Sequence, residues 1–268
     1  MRMNWTSQVS PVKTASDRTV QGFSAGIFLL LLLSLAVFGQ PNGGPGPGGK
    51  SDRGYAYSNE VVAGVPWSIH LLKIERGHPE LELQTTLGGG LTLGMDNVSE
   101  QVKSIRPEQG KPIAAINGDF YHDSREITGD PDGLQIRWGE LVSAPNAKHS
   151  CFWIDALGNP HCALVTSQLK VTWPNGLTTP MGLNEERARD AAVLYTSVIG
   201  SSTRTWRGQD LVLTNAAGSE WLPLKPGRTY TARVSQVVER GNASLGPGMM
   251  VLSVGSELAA RIPRISAG

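Results

Sequence analysis

Between Asn117 and Asp132 the chain reads NGDFYHDSREITGDPD, which places four aspartates, one glutamate, one histidine, one arginine and one tyrosine in sixteen residues. Carboxylates brought together can divide acid and base work when their environments separate their pKa values. Asp119 stands between Gly118 and Phe120, where an apolar neighbour would desolvate its carboxyl and raise its pKa; it is the first candidate for an acid/base or electrostatic role. Asp132, followed by Gly133, is the second candidate carboxylate. Asn117 both donates and accepts hydrogen bonds, which suits it to a sugar hydroxyl or amide. Phe120 and Tyr121 offer flat apolar surface for a sugar ring, although core packing uses the same rings. His122 and Asp123 with Asp119 could offer nitrogen and oxygen to a metal, but no ligand spacing accompanies them, and neither metal nor other cofactor is expected. The same composition also serves a solvated polar loop in which aspartates make turns.

Other short patterns carry less. Ser167-Gln168-Leu169-Lys170 has the spacing of a serine–lysine nucleophile without its partner motifs. Gly88 to Gly94 is glycine-rich, but no Walker lysine follows, so a plain loop is expected. His149 and His161 read as surface residues. With 24 basic and 23 acidic side chains, the net charge is +1, which gives no electrostatic case for nucleic acid as a partner.

The elements that must position the polar cluster are mostly strands. Gly at 32 and Pro at 17 favour strands and turns over a helical bundle. Trp67 to Ile74 nearly alternates and predicts a half-buried strand after Pro66; Leu81 to Thr85 predicts a second, beyond a turn at Gly77-His78-Pro79. Asp96 or Asn97 can cap a helix, with Glu100 completing a capping box, Val98, Val102 and Ile105 on one face and Pro107 ending it. The run Pro112 to Ile116 predicts a buried strand leading into the cluster. Leu134 to Trp138, a turn at Gly139-Glu140 and Leu141-Val142 predict a hairpin. Further strands are expected over Ser150–Ile154, Cys162–Val165, Leu169–Trp173, Ala192–Thr196, Asp210–Leu213, Tyr230–Val238 and Met249–Val254, with a short helix over Glu185–Asp190. The expected class is α+β, a strand-rich mixed sheet with few helices.

Upstream, Gly22 to Phe38 is uncharged and centred on five leucines, after Arg2, Lys13 and Arg18. With small or modest residues before Gln40, it has the form of an export signal or, if uncut, a signal anchor. Residues 1–39 are therefore read as a leader, 40–54 as a flexible Gly/Pro linker and 55–268 as the folded domain. Either leader places the domain outside the cytoplasm, in the envelope or secreted, with the membrane a partner only through the uncleaved segment. Export also puts Cys151 and Cys162 in an oxidising compartment. A two- or four-residue loop between their strands sets them opposite each other as a disulfide; a type I turn with Gly158 in a bulge shifts the register and separates them.

Three stretches carry a family resemblance. IAAINGDFY (Ile113 to Tyr121), GDPDGLQI (Gly129 to Ile136) and GELVSAP (Gly139 to Pro145) resemble the phosphodiester glycosidase family, that of the lysosomal uncovering enzyme; the likeness continues through Leu183 to Thr205 and spans roughly Tyr55 to Gly268. It implies hydrolysis of a sugar joined through its anomeric carbon to a phosphodiester, in cell-surface or exopolysaccharide glycans. It also implies roles for Asn117 and Asp119, which match the family's Asn-Gly-(Asp/Gly)-Phe motif, and for Asp132-Gly133, which match a second glycine-bearing segment. Family members continue to an Asp-Gly-Gly-Gly-Ser motif that this chain does not contain, so a domain lacking its C-terminal part is expected. A non-catalytic glycan- or envelope-binding module on the same fold is the alternative.

Overall fold

Two strands are buried end to end, Ala192–Thr196 and Met250–Gly255, and a third, Gly208–Asn215, is buried over its middle, Asp210 to Leu213. Continuous apolar runs of this kind form only where both faces of a sheet are covered. In the computed structural model, which describes residues 2–8, 53–124, 126–216 and 221–268, these three lie side by side. In chain order the elements are β1 (Arg2–Gln8), β2 (Tyr55–Val62), β3 (Trp67–Ile74), α1 (Val98–Lys103), β4 (Tyr121–Asp123), β5 (Thr128–Pro131), β6 (Gln135–Arg137), β7 (Glu140–Ser143), β8 (Ser150–Ile154), β9 (Pro160–Leu164), β10 (Thr166–Thr172), β11 (Thr178–Pro180), β12 (Gly182–Leu183), β13 (Ala192–Thr196), β14 (Gly208–Asn215), β15 (Thr229–Glu239), β16 (Met250–Gly255) and α2 (Ser256–Ala259). The protein is strand-rich with few helices, and no helix among the described residues is long and apolar enough to cross a membrane.

The chain divides into two units. The first holds Arg2–Gln8, Gln84–Trp153 and His161–Gly268. Its main sheet has the order β11-β10-β1-β15-β14-β16-β13-β12 and is mixed, because β12 runs parallel to β13 while the other pairs are antiparallel. Strand alternation sends Leu194, Leu211, Leu213, Met250, Leu252 and Val254 to one core, and Val193, Tyr195, Val212 and Val251 to the other. The face of Val212 and Val251 also carries a fully buried carboxylate, Asp210. It accepts from Thr203 Oγ1 and Ser253 Oγ at 2.5 Å, from Thr205 Oγ1 at 3.0 Å and from the Ala243 amide at 2.9 Å.

The second unit comprises residues 53–83 with Ile154–Pro160. Its β2–β3 hairpin has Tyr55 opposite Ile74 and Val62 opposite Trp67. The strand expected over Trp67–Ile74 is present, but it is exposed rather than half-buried, since a two-stranded ribbon offers no second layer to cover either face.

Several expectations fail for identifiable reasons. Leu81–Thr85 and Pro112–Ile116 belong to no strand. Neither run joins a described strand ladder, Pro112 lacks a donor, and Ile116 is 88% exposed. Glu185–Asp190 is not helical; the Arg189 carbonyl accepts from the Glu257 and Leu258 amides and the Ala191 carbonyl from Gly255, so these carbonyls bond outward to the start of α2. Cys151 and Cys162 are free thiols, one buried and one exposed. Asp155 to Gly158 forms a turn closed by Gly158 N–H to the Asp155 carbonyl at 2.9 Å, with Gly158 at φ +79° and Asp155 bonded to Asn159. That bulged turn offsets β8 and β9 by one residue and sends the sulfurs to opposite faces, so the expected disulfide is corrected. The leader Gly22–Phe38 and nearly all of the linker lie outside the described residues. The Asn97 cap is found as expected, its side chain accepting from Glu100 N–H at 3.0 Å.

Candidate active site

The cluster expected as a loop is a hairpin. β4 and β5 pair with Tyr121 opposite Pro131 and His122 opposite Asp130. Its turn is closed by the Ser124 hydroxyl, which donates to the Ile127 carbonyl and accepts from the Ile127 amide at 3.0 Å, while Ile127 is buried in the core beside Tyr195 and Val212. An apolar anchor at its tip thus fixes a polar hairpin on the main sheet. Gly129 packs directly on the Gly94 carbonyl, as does Gly88, where a Cβ would collide with backbone. The glycine-rich loop is therefore a brace for this hairpin.

Asp132 is the hub. Its Oδ1 accepts from His122 Nε2 at 2.7 Å and from Asn146 Nδ2 at 3.1 Å; its Oδ2 is 2.7 Å from His149 Nδ1. The bonds from His122 and Asn146 hold its carboxyl below the usual carboxylate range. An ionised carboxylate only accepts, so both imidazoles present N–H to it and turn their second nitrogens, His122 Nδ1 and His149 Nε2, away. Asn146 makes the turn that returns His149: its side-chain oxygen accepts from Lys148 N–H at 3.0 Å and its carbonyl from His149 N–H at 3.1 Å.

Asp130 faces the same cavity, which encloses about 240 Å³ and is also lined by His122, Asp132, Asn146, Leu183 and Glu185. Asp130 is 7% exposed. Burial, reinforced by Glu185, pushes its carboxyl up to about 7. Glu185 keeps an exposed edge, yet the protein around its carboxyl raises its pKa as well. Its position is fixed from two sides. Tyr195 donates its hydroxyl to the Glu185 carbonyl at 2.8 Å. The preceding Asn184, fully buried at φ +53°, donates to the Val142 carbonyl and accepts from the Thr196 amide, both at 2.9 Å. The cavity therefore holds one carboxylate gripped by imidazoles, its pKa lowered, beside two carboxyls whose pKa values are raised, the separation that acid–base division requires.

The other expected residues have different places. Asp119 accepts from Phe120 N–H at 2.7 Å and from Gly133 N–H at 2.8 Å, so it ties the entry of β4 to the exit of β5. A Cβ on Gly133 would come within 2.7 Å of Asp119 Oδ2; the glycine permits that clamp. Asn117, Phe120 and Tyr121 are exposed and do not line the cavity. Tyr121 stands opposite Pro131, which does line it. Among the described residues no group of His, Cys, Asp or Glu is arranged to hold a metal ion. Asn146, His149, Asp130 and Glu185 join the site without having been singled out from the sequence; the signal available for the first two was their place just after the GELVSAP stretch.

The raised carboxyl has a consequence for stability. Folded Asp130 binds its proton more tightly than the unfolded chain, whose ordinary value is 3.8. Between about pH 4 and 7 the native state holds the extra proton, so stability is greatest below this window and falls as pH rises through it, by a few kcal/mol at most. Glu185 adds in the same direction; the lowered carboxyl of Asp132 acts below the window. Urea unfolding at pH 5 and pH 8 should show wild type losing stability and Asp130→Asn losing markedly less. Equal losses would mean that Asp130 does not carry the linkage.

No protein-family profile matches the chain, and no curated protein sequence matches it. Among solved structures, a hypothetical protein from Synechocystis is similar in fold, with a TM-score of 0.56 at 13% identity, over 81% of this chain and 38% of that one. The chain thus spans well under half the length of that neighbour, and the likeness concerns fold alone.

Proposed function

We propose that this chain is an exported α+β domain of phosphodiester glycosidase type, which hydrolyses the bond between a sugar's anomeric carbon and a phosphodiester oxygen in cell-surface or exopolysaccharide glycans. The observation that carries the reading is Asp132 accepting from two imidazoles at 2.7 Å beside the buried Asp130. A carboxylate that fixes an imidazole's tautomer leaves the other ring nitrogen free to take a proton. His122 or His149 removes a proton from water as the water oxygen bonds to the anomeric carbon. The carbon–oxygen bond to phosphate breaks, and the phosphomonoester leaves with the electron pair. Asp130, which holds its proton near neutral pH, donates to the departing oxygen; a phosphate leaving group asks little of that acid. Asp119 and Gly133 set the geometry, and Asn117 with Phe120 and Tyr121 offers the sugar a polar handle and two rings. The membrane is a partner only through an uncleaved Gly22–Phe38 segment, and nucleic acid is none.

A second reading, a glycan-binding module without chemistry, draws on the exposure of Phe120 at 78% and Tyr121 at 60%, since solvent-facing rings hold sugars without assistance from acids or bases. Incubation of the full chain with sugar-1-phosphodiesters separates the two. Release of free reducing sugar and phosphomonoester is expected; calorimetric binding with no release would overturn hydrolysis in favour of the binding module.

A further inference from the structure

The main sheet takes an interior strand from the far N-terminus. β1 pairs with β10 along its whole length, from Arg2 opposite Thr172 to Gln8 opposite Thr166, and with β15 over Arg2, Met3 and Asn4. Without it, β10 and β15 would stand about 10 Å apart, two strand spacings, with facing rows of unpaired backbone groups. Met3 anchors it. This side chain is 2% exposed, lies opposite the fully buried Val171, and borders a hollow lined by Leu169, Met181, Leu194, Leu224 and Tyr230.

Chain order sets β1 against the leader. Arg2–Gln8 precedes the apolar run Gly22–Phe38, whereas every other strand among the described residues follows it. Strands of one sheet must lie on the same side of a membrane. A chain that crosses once at Gly22–Phe38, or is cut before Gln40 on export, cannot keep β1 seated in its own sheet.

We propose that the channel between β10 and β15 is a strand-acceptor site whose occupant is the Arg2–Gln8 segment: seated in the uncut chain, lost on export, and replaceable by the same segment supplied as a free peptide. Recognition is of the kind that adds a strand to open sheet edges, with main-chain hydrogen bonds giving affinity and one pocket, that of Met3, giving selectivity. The inference rests on the proposed export through Gly22–Phe38 and not on the proposed hydrolysis.

The test uses the full chain with a unique protease site introduced by substitution within Gly43–Gly49. In the uncut protein, hydrogen exchange should find Arg2–Gln8, Lys170–Thr172 and Thr229–Thr231 protected. Met3→Asp should lower that protection about tenfold or more, as loss of one buried apolar side chain implies, while Leu211–Leu213 stay protected. After cutting, a labelled peptide of sequence Arg2–Gln8 should exchange into the folded protein and co-migrate with it, and the Met3→Asp peptide should bind at least about tenfold more weakly. Rapid exchange of Arg2–Gln8 in the uncut chain would overturn the proposal, as would failure of the cut protein to take the peptide. A cut protein that instead fills the channel by dimerising would also overturn it, by making a second copy the occupant.

Discussion

Asp132→Asn is expected to lower turnover on a sugar-1-phosphodiester by about 10²-fold or more, the scale at which a positioned acid or base acts. The carboxylate accepts from His122 Nε2 and His149 Nδ1 at once, each at 2.7 Å. An asparagine keeps one accepting oxygen and replaces the other with an NH2 group, which cannot receive an N–H. One imidazole must then rotate away or move its proton to the nitrogen that should take one from water. The change is nearly isosteric, so kcat should fall far more than KM rises. Asp119→Asn is the informative contrast. It weakens a clamp between the Phe120 and Gly133 amides, so it should act mainly on stability, by about 1–3 kcal/mol, and leave the pH profile of the residual activity in place. An unchanged kcat/KM in Asp132→Asn would remove the two-imidazole hub from the chemistry.

Asp210→Ala should produce the largest loss of stability, about 3–5 kcal/mol. The carboxylate is fully buried, and the hydroxyls of Thr203, Thr205 and Ser253 and the amide of Ala243 all donate to it. Alanine leaves these buried donors without their acceptor. Asp210→Asn, which retains one oxygen, should lose less. Denaturant unfolding measures both; a loss under 1 kcal/mol in the alanine variant would mean that the donors find other partners. Asp210 does not line the cavity beside Asp132, so any activity change should track the folded fraction.

The sequence was legible where a single physical signal decides the structure. Ala192–Thr196 is a strand with the expected ends, because five apolar or β-branched residues in a row can be buried only between two layers. Asn97 is the helix cap because its side chain reaches an amide three residues on. Legibility failed where the outcome depends on a distant partner. Pro112–Ile116 has the composition of a buried strand, yet no described strand pairs with it. The cysteine pairing turned on whether Gly158 enters a bulge, a one-residue question that composition leaves open. At the site, the cluster Asn117 to Asp132 was visible by its charge, but the roles within it were not. Asp119 precedes an apolar ring in sequence and is nonetheless taken up by two backbone amides. His149 reads as a surface histidine, and it is exposed; what brings it to Asp132 is a turn organised by Asn146. Glu185 arrives from a different strand pair, placed by the positive φ of Asn184. β1 carries the buried Met3, and its neighbours in the sheet lie more than 150 residues away in sequence.

Hydrolysis of a sugar-1-phosphodiester in water enriched in ¹⁸O, followed by mass spectrometry of both products, tests the proposed chemistry most directly. The expected result is one heavy oxygen on the anomeric hydroxyl of the released sugar and none in the phosphomonoester, with product formation reduced about 10²-fold or more in Asp132→Asn. Label in the phosphate would mean attack at phosphorus, and absence of products from wild-type protein would mean no hydrolysis; either contradicts cleavage at the anomeric carbon by the site around Asp132.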